Sequence, residues 1–142
     1  MRILVPVDGS DSANRAAAHA VALLQGRPDA EIILLNVQNQ QGLDISDISR
    51  VTLVEANTKY AVDQSKKALA GAIELCRSAQ VKFNTRSAFG LTAETISKIA
   101  VEIAAEQIIM GTRGLGSWYG IVLGSVSTKV IQLARVPVTV VK

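Results

Sequence analysis

Apolar and polar positions fall into two alternating patterns along the chain. Short apolar runs recur as "RILVPV" (2–7), "EIILLNV" (31–37), "EQIIMG" (106–111) and "VPVTVV" (136–141). Runs of this length bounded by turn residues read as buried strands. Pro6 lacks an amide donor, so it belongs near the end of the first strand or at an irregularity. "VKFNTRSAF" (81–89) alternates, as a strand with one wetter face does. Helical spacing fills the intervals. In "SDSANRAAAHAVALLQG" (10–26), Ala13, Ala16, Ala17, Ala20, Val21 and Leu24 share a face, Ser10 or Ser12 is the candidate cap, and Gly26 is the stop. A long helix is predicted over 51–78, with Leu53, Ala56, Tyr60, Ala68, Ile73 and Leu75 among its apolar positions. Two shorter ones are predicted over 92–104, with Thr92 as candidate cap, and over 125–135. "QNQQGLDISDIS" (38–49) reads as a loop. The order is therefore β-α-β-α-β-α-β-α-β. Such alternation with near-continuous aliphatic strands predicts an α/β doubly wound five-stranded parallel sheet, helices on both faces. No repeat or linker divides it, so one domain is expected over residues 1–142.

Composition narrows the class. The 142 residues are 49% hydrophobic and 19% charged, a globular balance. The core is expected to be aliphatic, because aromatics make up only 4%. A single cysteine, Cys76, forms no intrachain disulfide and no cysteine-based metal site. The first residues lack a signal-peptide pattern, and no apolar run approaches a membrane span. The expectation is a soluble cytoplasmic protein that binds neither membrane nor nucleic acid. Its basic residues are few and not interleaved with aromatics. Charge is unevenly placed. Residues 1–106 hold eleven Lys/Arg and twelve Asp/Glu, whereas residues 107–142 hold Arg113, Lys129, Arg135 and Lys142 and no acid. The last quarter of the chain suits an anion.

That quarter contains "GTRGLGSWYGIVLGS" (111–125), with glycines at 111, 114, 116, 120 and 124. In an open parallel sheet, ligands bind beyond the carboxyl ends of the strands. Three such ends are candidates: "VDGS" (7–10), "NVQ" (36–38) and "MGTRGLG" (110–116). Glycines let the backbone approach an anion and point several N–H groups at it. The helix opening at Gly124-Ser125 offers further unsatisfied N–H groups and the positive end of its dipole. The Ser125 and Ser127 hydroxyls and the Arg113 charge complete a phosphate cradle. It is not a P-loop, because Ser117-Trp118 stands where Lys-Ser/Thr is required. Nor does it have the place of a dinucleotide fingerprint, since the first turn carries only Gly9.

Gly111-x-x-Gly114, nine residues and then Gly124-Ser125 resembles the G-2x-G-9x-G-(S/T) signature of the universal stress protein family, in its ATP-binding branch. The resemblance runs through "ILVPVDGSDSA", "LLNV", "IIMGTRG", "LGSVSTKV" and "VPVTVV". Asn36 departs from it, standing where many relatives have His, as does Trp118-Tyr119 inside the loop. The resemblance implies strand order 3-2-1-4-5. It implies that Asp8, with the backbone of Pro6 and Val7, meets the adenosine and that Val37 and Met110 contact adenine. Gly111, Arg113, Gly114, Gly124, Ser125, Val126 and Ser127 then line ribose and phosphates. The nucleotide implied is ATP, or AMP or ADP, with Mg²⁺ as a companion. The resemblance also implies a homodimer pairing through the C-terminal strand, where Pro137 has no amide to donate and pairing is partial.

The remaining residues weigh on mechanism. Asp8 is a candidate metal ligand or ribose-hydroxyl acceptor, against a plain turn-capping role. His19, mid-helix, reads as a surface residue, and Cys76 as a packed one. Trp118 and Tyr119 are open to three roles: covering a ligand, meeting a partner, or packing on the sheet. A regulatory, stress-response ATP binder acting through a nucleotide-dependent homodimer is the leading reading. A slow Mg-dependent ATPase, or a phosphoryl or nucleotidyl transferase, is the alternative. With one acid, one arginine and no P-loop lysine, efficient phosphoryl transfer has too few groups, and no catalytic residue is assigned. An adenine-cofactor role like that of electron-transfer flavoproteins is analogy from fold alone.

Overall fold

The aliphatic runs pair as parallel strands, and the segments between them cross over as helices. The computed structural model describes residues 1–39, 50–113 and 123–142, and only the backbone of residues 50–58. The elements are β1 Arg2–Pro6, α1 Asp11–Leu24, β2 Glu31–Gln38, α2 Arg50–Ser78, β3 Phe83–Phe89, α3 Thr92–Glu102, β4 Gln107–Gly111, α4 Ser125–Leu133 and β5 Val138–Val141. The five strands form one parallel sheet in the order β3-β2-β1-β4-β5. The predicted architecture and strand order are therefore those observed.

Two aliphatic layers cover the sheet. Ile3, Val5, Ile32, Leu34 and Ile109 point to one face and meet Ala16, Ala17 and Ala20 of α1 and Leu69, Ala72 and Cys76 of α2. Leu4, Ile33, Leu35, Ile108 and Met110 point to the other and meet Ile96, Ile99 and Ala100 of α3 and Val130 of α4. Each inner strand is buried on both faces, which is why it reads as a continuous apolar run. β3 is wetter because it lies at an edge, with Arg86 half-buried and Asn84, Thr85 and Ser87 exposed.

Several boundaries differ from the sequence expectation. α1 is capped by Ser10, whose Oγ accepts from the Ala13 N–H at 3.2 Å, while Ser12 is buried inside the helix. α3 is capped by Leu91, not Thr92, because Gly90 takes φ +142° and turns the chain one residue earlier. The buried stripe of α2 is Ser65, Leu69, Ala72 and Cys76, whereas Tyr60 is 65% exposed. Leu53 and Ala56 lie outside the described side chains. α4 stops at Leu133, and β5 begins only at Val138, after Pro137.

Candidate functional site

The ends of β1, β2 and β4 share the carboxyl edge of the sheet, because all strands are parallel. Beyond β1 the pairing continues one residue, with the buried Val7 donating its N–H to the Leu35 carbonyl at 2.8 Å. The chain then turns sharply. The exposed Asp8 accepts the Ser10 N–H on Oδ1 at 2.9 Å, an Asx turn, and Gly9 takes φ +87°. This turn delivers the chain directly into α1.

Asn36 joins the first two strand ends. It is buried, and its Nδ2 donates to the Val7 carbonyl at 2.8 Å while its Oδ1 accepts from Gln38 at 2.6 Å. The departure from the family pattern thus holds the β1 turn by hydrogen bonds an amide can make. Val37 and Met110 belong to the same apolar cluster, on the α3–α4 face. The two side chains give the ends of β2 and β4 an apolar lining on that face.

At the end of β4 the backbone of Gly111 lies against α1. A β-carbon on Gly111 would stand 2.3 Å from Ser12 Oγ and 2.8 Å from the Ser12 carbonyl carbon. Only glycine permits that approach. The Ser12 hydroxyl is buried and has no hydrogen-bond partner among the described residues. A buried polar atom without a partner is costly, and a ligand group can supply one.

From Arg113, half-buried, the chain leaves the described residues and returns at Leu123. Both ends of this excursion are pinned. Gly124 donates its N–H to the Thr112 carbonyl at 2.7 Å. The buried Ser127 hydroxyl lies 3.0 Å from the Gly111 carbonyl and 3.2 Å from that of Thr112, and donates to them. The Ser127 proton is directed at the backbone, so toward an anion this residue offers its main-chain N–H. Gly124 caps α4 with no side chain, and the first turn holds no acid. α1, by contrast, has the Ser10 cap and Asp11. The start of α4 therefore keeps N–H groups and a positive dipole end that no side-chain cap among the described residues satisfies. The nearby carboxylate of Glu94 on α3 pairs with Lys129 of α4. Hydrogen bonding to Lys129 holds that carboxyl below the usual carboxylate range.

The described sequence-predicted residues thus fall into four groups. Pro6 ends β1 and Val7 and Asp8 follow it, Val37 lies one residue before the end of β2, and Met110 and Gly111 end β4 with Arg113 just beyond. Gly124, Ser125, Val126 and Ser127 open α4. Gly114 lies outside the described residues, as do Gly116, Trp118, Tyr119 and Gly120. Sequence reasoning missed the contact of Ser12 with Gly111, because nothing in either local stretch announces it. A serine two residues after a cap was the only available signal.

The family model of the universal stress protein family matches residues 1–142. The chain belongs to the universal stress protein family. A universal stress protein of Thermus aquaticus is 33% identical over 140 residues, covering 99% of this chain and 97% of its own. The structure of the universal stress protein UspA from Lactobacillus plantarum superposes with a TM-score of 0.79 at 25% identity, covering 100% of this chain and 97% of that one. The fold also matches the universal stress protein of Archaeoglobus fulgidus solved in complex with dAMP, with a TM-score of 0.71 at 23% identity. That match covers 100% of this chain and 98% of that one.

In this universal stress protein the described residues include no group of three His, Cys, Asp or Glu able to hold a metal by themselves. No helix among them is long and apolar enough to cross a membrane. Among the described residues Asp8 is the carboxylate that directly follows one of these strand ends, and its Oδ1 accepts the Ser10 N–H.

Proposed function

We propose that this universal stress protein is of the ATP-binding branch. It binds an adenine nucleotide at the carboxyl edge of the sheet and acts as a regulatory, stress-response binder rather than an efficient enzyme. The observation that carries the reading is the acid-free, side-chain-uncapped start of α4, pinned beside the close Gly111–Ser12 contact. It suits a polyphosphate, while the Val37–Met110 wall suits a purine. The dAMP complex of the Archaeoglobus fulgidus relative supports an adenine nucleotide as the ligand.

The assignments follow from position. Val37 and Met110 hold the base. Asp8 and the Pro6–Val7 backbone meet the sugar. Gly111, Arg113, Gly114 and the N–H groups of Ser125, Val126 and Ser127 hold the phosphates. Any Mg²⁺ arrives on the phosphates, with Asp8 as its protein ligand. The groups named neutralise charge and orient the nucleotide, but none is placed as a general base. Binding then biases a two-state element by its difference in affinity.

The homodimer belongs to this proposal. β5 is the other edge of the sheet, with the Pro137 and Val141 carbonyls accepting from Ile108 of β4 and from Thr112 just beyond it. Main-chain direction alternates along a strand, so Val138 and Val140 face outward. The missing Pro137 amide falls on the inner side and does not limit pairing across a two-fold axis. Sedimentation should show a dimer.

The test of the site is calorimetric titration of nucleotide-stripped protein with ATP, AMP and GTP. Saturable adenine-selective binding, weakened at least tenfold for ATP by Arg113→Ala, is the expected result. Equal binding of GTP, or an unchanged ATP isotherm in the variant, defeats the assignment.

A further inference from the structure

β3 lies at the sheet edge opposite β5, and its outer side meets no described strand. The Lys82 carbonyl accepts from Ile32, and the Gly90 N–H donates to Gln38, so even-numbered residues address β2. Phe83, Thr85, Ser87 and Phe89 therefore turn their N–H and C=O groups outward. Their side chains share the α2 face. There Phe83 packs at the margin of the core, Ser87 meets Ser65 of α2, and Phe89 is 48% exposed. An open edge of this kind is a template for another extended chain.

The strand is nearly a palindrome. "FNTRSAF" (83–89) carries Phe, Thr, Ser and Phe at its odd positions, centred on Arg86. Antiparallel pairing of two copies about a two-fold axis at Arg86 sets Phe83 opposite Phe89 and Thr85 opposite Ser87. All four are outward residues, so the members of each pair exchange both of their hydrogen bonds. A shift of one residue sets inward groups against outward ones, and a shift of two separates the phenylalanines. In the centred register like meets like on the α2 face, ring against ring and hydroxyl against hydroxyl. On the other face Arg86 meets its own copy. Each guanidinium is already bonded to Glu102 at 2.7 Å, so cations and anions balance at the axis.

α2 agrees with the same axis. The Ser65–Ser87 bond sets these two residues level. α2 runs against β3, dropping roughly 1.5 Å per residue where the strand rises about 3.3 Å. Val62 then stands roughly 8 Å above the axis and Ile73 roughly 9 Å below it. The axis exchanges above and below, so Val62 of one copy comes level with Ile73 of the other, beside the Phe83–Phe89 pair. Both residues line the groove of about 420 Å³ between α2 and β3, and Val62 is exposed in the single chain. Lys59, roughly 12 Å above the axis, comes level with Glu74, roughly 10 Å below it. Glu74 lines the groove, and Lys59 precedes Val62 by three residues on the same stripe of α2. Both are exposed and without an ion pair among the described residues. Lys66, nearest the axis, has Asp63 one turn away on its own helix, and Arg77 has Glu74.

We propose that the β3 edge is a self-association surface whose partner is a second copy of this chain. β3 pairs antiparallel with β3 about Arg86, and the two sheets join into one. The α2 helices flank the seam, with Lys59 of each copy paired to Glu74 of the other. Main-chain bonds supply affinity, and the phenylalanine and charge pairs set register. The contact is isologous and rests neither on the nucleotide site nor on the β5 edge. Where both edges pair, copies string into an open-ended row.

Cysteine cross-linking of the intact protein reads the register. At the axis Arg86 faces Arg86 in a pair without mutual hydrogen bonds, with Cα atoms about 4.5 Å apart, inside the range of a disulfide. Arg86→Cys should form a disulfide-linked dimer under mild oxidant at least tenfold faster than Ala88→Cys, whose opposite number is Asn84. Cys76 is buried and does not compete. Sedimentation across a concentration series is the second measurement. Thr85→Pro removes an outward N–H without breaking the β2 ladder. It should remove one step of assembly, leaving a dimer where β5 pairs and a monomer where it does not. Lys59→Glu and Glu74→Lys, both on exposed side chains, should each weaken association at least threefold, and the two together should restore it. Thermal melting verifies that each variant folds. Equal cross-linking of the two cysteine variants overturns the proposal. So does an assembly unchanged by Thr85→Pro, or a double charge variant as weak as the single ones.

Discussion

Replacing Gly111 by alanine tests the join between α1 and β4, on which the proposed nucleotide site rests. The added carbon would lie 2.3 Å from Ser12 Oγ and 2.8 Å from the Ser12 carbonyl carbon. The hydroxyl can swing away, but the carbonyl carbon belongs to the first turn of α1, so the helix start itself must move. Overpacking of this kind costs about 1–3 kcal/mol. For a chain of this size that is about 3–10 °C in Tm. Ser12→Ala by itself removes a buried hydroxyl that has no partner among the described residues, and should be neutral or slightly stabilising. Added to Gly111→Ala, it should relieve only part of the loss, because the backbone contact remains. The assay is thermal and urea unfolding of the four proteins, with and without saturating ATP. Ligand-linked stabilisation should shrink in Gly111→Ala, since the β1 turn and the α4 start separate with the helix. A Gly111→Ala protein with unchanged Tm and unchanged stabilisation by ATP would refute the reasoning. Complete rescue by Ser12→Ala would show that only the hydroxyl matters.

Three further outcomes follow from the geometry. Ser127→Ala should cost about 1 kcal/mol in urea unfolding, because the buried hydroxyl bonds the end of β4 to α4. It should weaken ATP binding less than Arg113→Ala does. Burial pushes the Cys76 thiol up from 9.0 to about 11. The unfolded chain then loses its thiol proton first as pH rises. The contribution of this group to stability should be full below about pH 9 and disappear as pH passes about 11. A thiol reagent at pH 8 should react at the rate of unfolding only. Glu94 is held in its charged form by Lys129, so its stabilising contribution is present above the unfolded pKa and lost as pH falls through the folded one. In an NMR titration its carboxyl should move upward in Lys129→Met.

The strands were legible because each inner one is buried on both faces and so carries no polar interruption. The parallel sheet followed from the helices between them. Boundaries were harder where a single backbone angle decides them. Gly90 at φ +142° sets the start of α3, and a threonine beside it looked like the natural cap. In α2, Tyr60 fits the apolar period yet is exposed, since this 29-residue helix is longer than the sheet face that it covers. At the site, glycine spacing and strand ends were readable locally. The meeting of Ser12 with Gly111 was not, because it exists only once β1, α1 and β4 have assembled. From its place in a helix first turn, the Ser127 hydroxyl reads as a phosphate donor. Its nearness to the Gly111 and Thr112 carbonyls is a tertiary fact.

The end of β4 and the start of α4 are clasped to each other by bonds of their own: Gly124 donates its N–H to the Thr112 carbonyl at 2.7 Å, and the Ser127 hydroxyl bonds across the same junction. The strand end and the helix start therefore respond together. A ligand that orders one orders the other, and hydrogen exchange at Thr112 and Gly124 should slow in step.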